Sequence, residues 1–484
     1  MAASFRITRA TVVFIAGLQF AVLLLVSPLL LIPRSSVELG DRIGNFTLVR
    51  NRSPHTQLIV EPETPLRSAT IEATTNTDLR VREEGCQRQV YHISDLNPNT
   101  TFPGTRIFHP PPVPIQAFNG RIDSIQIGIE PKYGKHICRC NAILSFVYGY
   151  QLPQIIHFVS TLLQSGFQGD LVLGVTPNLT EDTREFLQQL TQSKTTPVNL
   201  VVYEISITCS KRGSQFLCQN HHMFQDASSN EWIADARPLR RVATLRFEYY
   251  WAWSSLYSPT SHLFVTDARD VYFQGNPIPD YNHYNSTTLT LFEEAATIEQ
   301  SRANSNWLRR TYSEDVLQQV KSRSVICSGT TLGGQPAMET YTRAMVHEFD
   351  RTYCKNCGYL HDQCFHNYLV HFDRLVGANG GKISLVNIHK QGEGGIVNTV
   401  GLVSKRNNGA SLNDLGLIQG GTMAILDNDK VTASAVIHMF DRDPEMKGWV
   451  QGQINEELSL WNATASISHL LQKDIQPQPE KFPV

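Results

Sequence analysis

From Ala142 onward, short apolar runs alternate with stretches of helical period. "AILSFVYGY" from Ala142 predicts a buried strand, and "LPQIIHFVSTLLQSGF", Leu152 to Phe167, carries apolar residues at helical spacing. "DLVLGV" from Asp170 predicts a second strand, completing a β-α-β unit. "TEDTREFLQQL" from Thr180 offers a threonine cap and an acidic first turn, and "VNLVVYEI" from Val198 a third strand. "LRRVATLRFEYYWAWSSLY", Leu239 to Tyr257, predicts a long amphipathic helix, and "SHLFVTD" the strand after it. Strands alternating with helices predict an α/β fold, a mostly parallel central sheet with flanking helices.

The chain before this region has a different texture. Residues 34–134 are polar and rich in Thr, Asn and Pro over most of their length, with "HPPPVP" near the end, and predict an irregular stem or linker. Ala10 to Pro33 carry no charge, and that run exceeds the roughly 20 residues needed to cross a bilayer. A cleaved signal peptide is the alternative, but its apolar region runs to about 15 residues at most, and "VSP" and "PRSS" make poor cleavage sites. The expected organisation is a cytoplasmic head (1–9), a transmembrane signal anchor (10–33), the stem (34–134), the α/β domain (135–465) and a tail (466–484).

Arg6 and Arg9 precede the anchor, so the positive-inside rule puts the rest of the chain on the lumenal side. Asn-x-Ser/Thr triplets at Asn45, Asn51, Asn99, Asn178, Asn285 and Asn462 suit that side. So do nine cysteines, which an oxidising compartment would pair, leaving at least one over. Cys209 and Cys218, flanking a short polar loop, are the expected disulfide. A short head, one anchor and a stem suggest a single-pass type II protein of the Golgi membrane, held by one N-terminal helix. With 42 Lys and Arg against 44 Asp and Glu, no overall field draws the chain to nucleic acid. The sequence leaves a homo-oligomer open.

Charge chemistry must therefore be local, and "HLFVTDARDVYFQGNP", His262 to Pro277, is where it concentrates. An apolar strand ends in Asp267 and Asp270, and ligands of open α/β sheets bind at the carboxyl ends of strands. Two neighbouring carboxylates call for a positive partner. Either Arg269 or another arginine supplies it, or a divalent cation with a taste for hard oxygen ligands does, Mg²⁺ or Mn²⁺. His438 follows the apolar stretch Ala433 to Ile437 and also lies at a strand end; an imidazole beside the carboxylates favours Mn²⁺.

"FVTDARDVYFQGNP" resembles the metal-binding segment of GT-A-fold glycosyltransferases, a strand ending in an Asp-x-Asp type motif; here the spacing is Asp-Ala-Arg-Asp. The resemblance places Asp270 on the metal and Asp267 on metal or ribose, with Arg269 beside the nucleotide. "VICSGTTLGG" from Val325 is similar to the strand and loop lining the donor-sugar pocket, which assigns Ser328 and Gly329 to donor binding. "HDQCFHNYL" from His361 resembles an Asp-Gln element opening a helix beneath the sugar, which makes Asp362 and Gln363 the catalytic candidates. "ASAVIHMFDRDPEMKGW" looks like the late strand whose His438 completes the metal shell, with Arg442 and Lys447 both candidates for the diphosphate.

The resemblance spans roughly residues 138 to 455 and implies a GT-A-like, Rossmann-related fold. It implies metal-dependent transfer of a sugar from a nucleoside-diphosphate sugar to a glycan or glycoprotein acceptor. The Asp-Gln element and His438 hint at retention of configuration; if the reaction inverts, Asp362 is the first candidate base. Competing readings are a lumenal binding protein that has kept the fold without turnover, and a glycosidase, which needs two carboxylates facing across a sugar. "CKNCGYLHDQC" could hold zinc through Cys354, Cys357, His361 and Cys364, against disulfide pairing of the same cysteines.

Overall fold

The computed structural model describes residues 90–92, 124–212, 215–235, 239–278, 285–352, 361–378, 382–419 and 423–472. The expected anchor at residues 10–33 lies outside them; among the described residues no helix is long and apolar enough to cross a membrane. Asn178, Asn285 and Asn462 are all exposed.

In chain order the first elements are β1 (Val90–His92), β2 (Ser124–Ile127), β3 (Ala142–Phe146), α1 (Leu152–Gln164), β4 (Gly169–Val175), α2 (Glu181–Gln192) and β5 (Val198–Glu204). A hairpin of β6 (Ile207–Arg212) and β7 (Gln215–Asn220) is closed by the expected Cys209–Cys218 disulfide. Then come β8 (Phe224–Asp226), β9 (Trp232–Ile233), α3 (Val242–Ser254), β10 (His262–Thr266), β11 (Val271–Phe273) and β12 (Thr288–Thr297). Next are α4 (Arg302–Thr311), α5 (Glu314–Val320), β13 (Ser324–Gly334), α6 (Gln335–Thr352) and α7 (Asp362–His371). The last are β14 (Leu385–His389), β15 (Val397–Thr399), α8 (Val403–Arg406), the small pair β16 (Ile418–Gln419) and β17 (Ala424–Ile425), β18 (Val436–His438), α9 (Pro444–Thr464) and α10 (Ser468–Gln472).

The central sheet runs β11-β18-β15-β12-β13-β10-β3-β4-β5, with β14 also on β12. It is mixed. β10, β3, β4 and β5 pair in parallel, as do β14, β15 and β18 with their neighbours, but β13 is antiparallel to both β10 and β12, and β11 to β18. The sequence expectation of a mostly parallel sheet holds for the β-α-β half. It misses β13, because an antiparallel strand buried on both faces has the same apolar run as a parallel one.

Alternation along each strand divides the interior. In β3, Ile143 packs into one core with α1 and α2, while Leu144 faces a second core with α3, α6 and α7. The α3 helix departs from expectation: Thr244, Leu245 and Phe247 to Ser254 are all buried, so it has no solvent face over its last two turns. Packing also reaches beyond the expected domain limits. Ile125 and Ile127 of β2, within the stretch expected as stem, are buried in the α3-side core, and Ile467 and Leu470, within the expected tail, in the other.

Candidate functional site

The end of β10, the start of β11 and the end of β18 bring the acidic cluster together, although β13, β12 and β15 lie between β10 and β18 in the sheet. β10 ends at Thr266, and the next amide, that of Asp267, donates to Gly329 O of the adjacent β13 at 2.8 Å. Asp270 sits just before β11, whose Val271 pairs with His438 of β18; Met439 N in turn donates to Asp270 O at 2.8 Å. One ligand atom each from Asp267, Asp270 and His438 therefore falls within 4.8 Å of the others. His438 Nε2 is 3.8 Å from Oδ2 of Asp267 and 3.8 Å from Oδ1 of Asp270.

Gly329 makes that approach possible. A Cβ there would lie 2.7 Å from Asp267 Oδ2 and 2.8 Å from His438 Cε1, inside contact distance of both. On its far side the imidazole is held by Cys327, whose Sγ is 3.3 Å from Nδ1. Two carboxylates, an imidazole whose Nε2 faces them and a strand stripped of its side chain where they meet form a donor set suited to a divalent cation.

The charges of the site are coupled. Burial raises the Asp267 carboxyl, but Arg246 and His438 outweigh it and hold the group down at about 2. For Asp270 burial prevails, with the neighbouring Asp267 adding to it, and its carboxyl is raised. Burial opposes a proton on His438, yet Cys327 and the two aspartates raise it well above the ordinary imidazole value. A metal ion would replace that proton as the positive partner of the carboxylates.

Arg246 extends the cluster. It projects from α3, ion-paired to Asp267 through one terminal nitrogen, while the other donates to Asp362 Oδ2 at 2.6 Å. Asp362 Oδ1 lies 2.7 Å from His361 Nδ1. Burial works against this carboxylate, but Arg246 and His361 more than compensate and hold it well below the usual range. Asp362 is thus a fixed anion flanked by Arg246 and His361, a poor base. His361 stacks flat on Trp307 of α4, ring centres 4.1 Å apart.

Gln363 faces inward. Its Oε1 accepts from Ser328 N at 2.8 Å and Ser328 Oγ at 2.6 Å, and its Nε2 donates to Ile326 O at 2.8 Å and Glu294 Oε1 at 3.0 Å. It ties α7 to β13 and positions Ser328. Glu294, on β12, is buried, and desolvation pushes its carboxyl up to about 7 against the pull of His438 and Arg442.

These groups border one cleft of about 850 Å³. Asp267, Arg269, Asp270, Ser328, Gly329, Asp362, Gln363, His438 and Arg442 all line it. Lys447 does not: it is exposed on α9. Arg269 is 3.6 Å from Asp270 Oδ2 and 3.9 Å from Asp441 Oδ2, so it stands over the aspartates without a close bond to either. Cys364 donates to the His361 carbonyl at 2.9 Å while the His361 ring faces Asp362, so these two do not converge as zinc ligands; Cys354 and Cys357 lie outside the described residues.

Sequence reasoning missed Arg246, Glu294, Cys327 and the α4 residues of the cleft. One signal was available: Arg246 is a charge inside the run "LRFEYYWAW", where burial demands a partner.

No protein-family model matches the chain, and no curated protein does. Among solved structures it is similar to the galactosyltransferase LgtC in complex with donor and acceptor sugar analogues, at 9% identity over 66% of this chain and 99% of that one, TM-score 0.35. It is also similar to the glycosyltransferase GlyE of Streptococcus pneumoniae TIGR4, at 10% identity over 68% and 64%, TM-score 0.37. A third is the WbbM bifunctional glycosyltransferase in its apo form, at 10% over 64% and 47%, TM-score 0.35.

Proposed function

We propose that this chain is a glycosyltransferase that moves a sugar from a nucleoside-diphosphate sugar to a glycan or glycoprotein acceptor with the help of a divalent metal, Mn²⁺ or Mg²⁺. The observation that carries the proposal is the convergence of Asp267, Asp270 and His438 at the rim of a cleft large enough for a sugar nucleotide. The resemblance of four ordered sequence segments to GT-A enzymes supports it independently.

Asp267, Asp270 and His438 would hold the metal. When bound, it offsets the negative charge that gathers on the diphosphate as the sugar leaves. Arg442, which lines the cleft, and Arg269 are placed to meet the remaining phosphate charge. Arg246 and Asp362 form a rigid charged pair that offers hydrogen bonds to sugar hydroxyls, and Gln363 fixes Ser328 beside them. Asp362 does not serve as base, since Arg246 and His361 flank its oxygens and its proton affinity is low. That favours retention, with the departing phosphate taking the acceptor proton, or a base elsewhere in the cleft, of which Glu294 is the one whose proton affinity suits neutral pH.

The reading extends to a type II protein of the Golgi membrane with its catalytic domain in the lumen. The uncharged run at 10–33, the exposed sequon asparagines and the Cys209–Cys218 disulfide support it. The binding-only alternative has less in its favour, because metal set, charged floor and cleft are all present together. The test is nucleotide release from a panel of sugar nucleotides by the full chain, with Mn²⁺ and with chelator. Chelator-sensitive turnover of one donor, lost in Asp270→Ala, is expected; no turnover of any donor by folded protein would overturn the reading.

A further inference from the structure

The basic side chains of the cleft fall into two groups. Arg269 and Arg442 stand near the metal triad and each has a carboxylate neighbour: Arg269 with Asp270 and Asp441, Arg442 with Asp441 at 3.2 Å. Arg302, at the start of α4, and Lys405 and Arg406, on α8, also line the cleft and are exposed. None of these three has a carboxylate within ion-pair distance among the described residues. A sugar nucleotide carries one negative charge on each bridging phosphate, and a divalent ion with Arg269 and Arg442 meets these after Asp267, Asp270 and Asp441 have taken their share, leaving about one charge for a further cation. Of the three further cations, at least two are surplus to the donor.

The same wall carries an aromatic ring suited to a sugar, next to a buried amide. Asn304, also lining the cleft, is 5% exposed; its Nδ2 donates to Ser301 Oγ at 2.9 Å, while its Oδ1 is buried with no donor. Trp307, three residues on and thus on the same helical face, has one ring face against His361 and is part of the cleft wall. Its amphipathic ring is the type of surface on which sugar rings pack.

We propose that the wall built by α4 and α8 is the acceptor subsite, and that the acceptor is an acidic sugar, its carboxylate, sulfate or phosphate held by Arg302, Lys405 and Arg406. Trp307 supports its ring. This deepens the transferase reading and rests on it for the word acceptor, but the preference for an acid group can be measured without turnover.

The experiment is binding of three glycosides to the full chain in detergent, followed by saturation-transfer NMR: 4-nitrophenyl β-glucoside, the corresponding glucuronide and the glucoside 6-sulfate. One charged hydrogen bond is expected to make at least one acidic glycoside about tenfold tighter than the neutral one, an advantage that shrinks as salt rises. In the triple variant Arg302→Gln, Lys405→Gln, Arg406→Gln that ratio should fall to about one, with neutral-glycoside binding reporting that the protein is folded. Equal affinities in the wild type, or a ratio that survives in the variant, would overturn the proposal. So would a variant that loses nucleoside diphosphate as strongly as it loses the acidic glycoside, since the cations would then belong to the donor. An acid preference in a chain that turns over no donor would sink the transferase reading and keep the subsite.

Discussion

Nη2 of Arg246 lies 2.6 Å from Oδ2 of Asp362, a pair almost shut off from water, with side-chain exposures of 13% and 1%. Removing one member strands the other as an uncompensated buried charge. Arg246→Leu should therefore destabilise the chain by about 3 to 5 kcal/mol, read from urea unfolding midpoints. The double variant Arg246→Leu, Asp362→Leu should be less destabilised than Arg246→Leu alone, because the stranded anion is gone. The pair also has a pH signature. Asp362 is held below the usual carboxylate range, so its contribution is complete above the unfolded value of about 4 and lost as pH falls below it.

Gly329 is the point where the strand yields to the metal ligands. Gly329→Ala should lower Mn²⁺ affinity at least tenfold by calorimetry, because the new methyl lies within 3 Å of Asp267 Oδ2 and His438 Cε1 and must push one of them aside. Unchanged affinity would mean that Asp267 and His438 are not both ligands.

Cys327 should matter through His438. A metal ligand imidazole usually donates its other ring N–H to a neighbour that fixes tautomer and orientation, and here the neighbour of Nδ1 is the Cys327 sulfur at 3.3 Å. Cys327→Ala should cost about 10- to 100-fold in metal affinity. Cys327→Ser, which keeps an acceptor on a shorter bond, should recover part of it. Titration of the two variants with Mn²⁺, followed by paramagnetic broadening of the His438 ring protons, separates lost orientation from a general loss of fold.

Much of this was legible in the chain, and the gaps have physical causes. β3, α1, β4, α2 and β5 stood out because their apolar period is strong, whereas the threonine cap expected for α2 is not made: Thr180 precedes the helix but its Oγ1 lies 2.7 Å from Thr183 Oγ1 rather than on a backbone amide. Asp267 and His438 stood out because each ends an apolar strand run, and Asp270 because it follows Asp267 by three residues, positions readable without knowing which strands touch. The solvent face expected for α3 was illegible, since its tyrosines and serines read as polar positions in sequence yet pack between the sheet and α6. Arg442 and Lys447 could not be separated, because the 3-10 turn Phe440–Arg442 aims the first at the cleft while α9 carries the second outward. Gln363 read as catalytic from its neighbour Asp362, although consecutive helical residues point in different directions: one toward Arg246, the other into β13.

Glu294 offers the sharpest pH prediction. Its carboxyl is buried on β12 and pushed up to about 7, from an ordinary value near 4.5. A folded-state value above the unfolded one means that folding favours the protonated acid: the stabilisation is complete below about pH 4.5 and is lost as pH rises through 7. Above pH 8 the chain must fold with a buried anion, at a cost approaching roughly 3 kcal/mol relative to acid pH. Glu294→Gln keeps an oxygen for the Gln363 Nε2 donor and removes the charge. The variant should match the wild type in thermal midpoint at about pH 4 and exceed it at about pH 8.5, both in chelator so that no bound cation contributes. Equal midpoints at both pH values would show that Glu294 is already ionised at little cost, and would remove it as a candidate base for the proposed transfer.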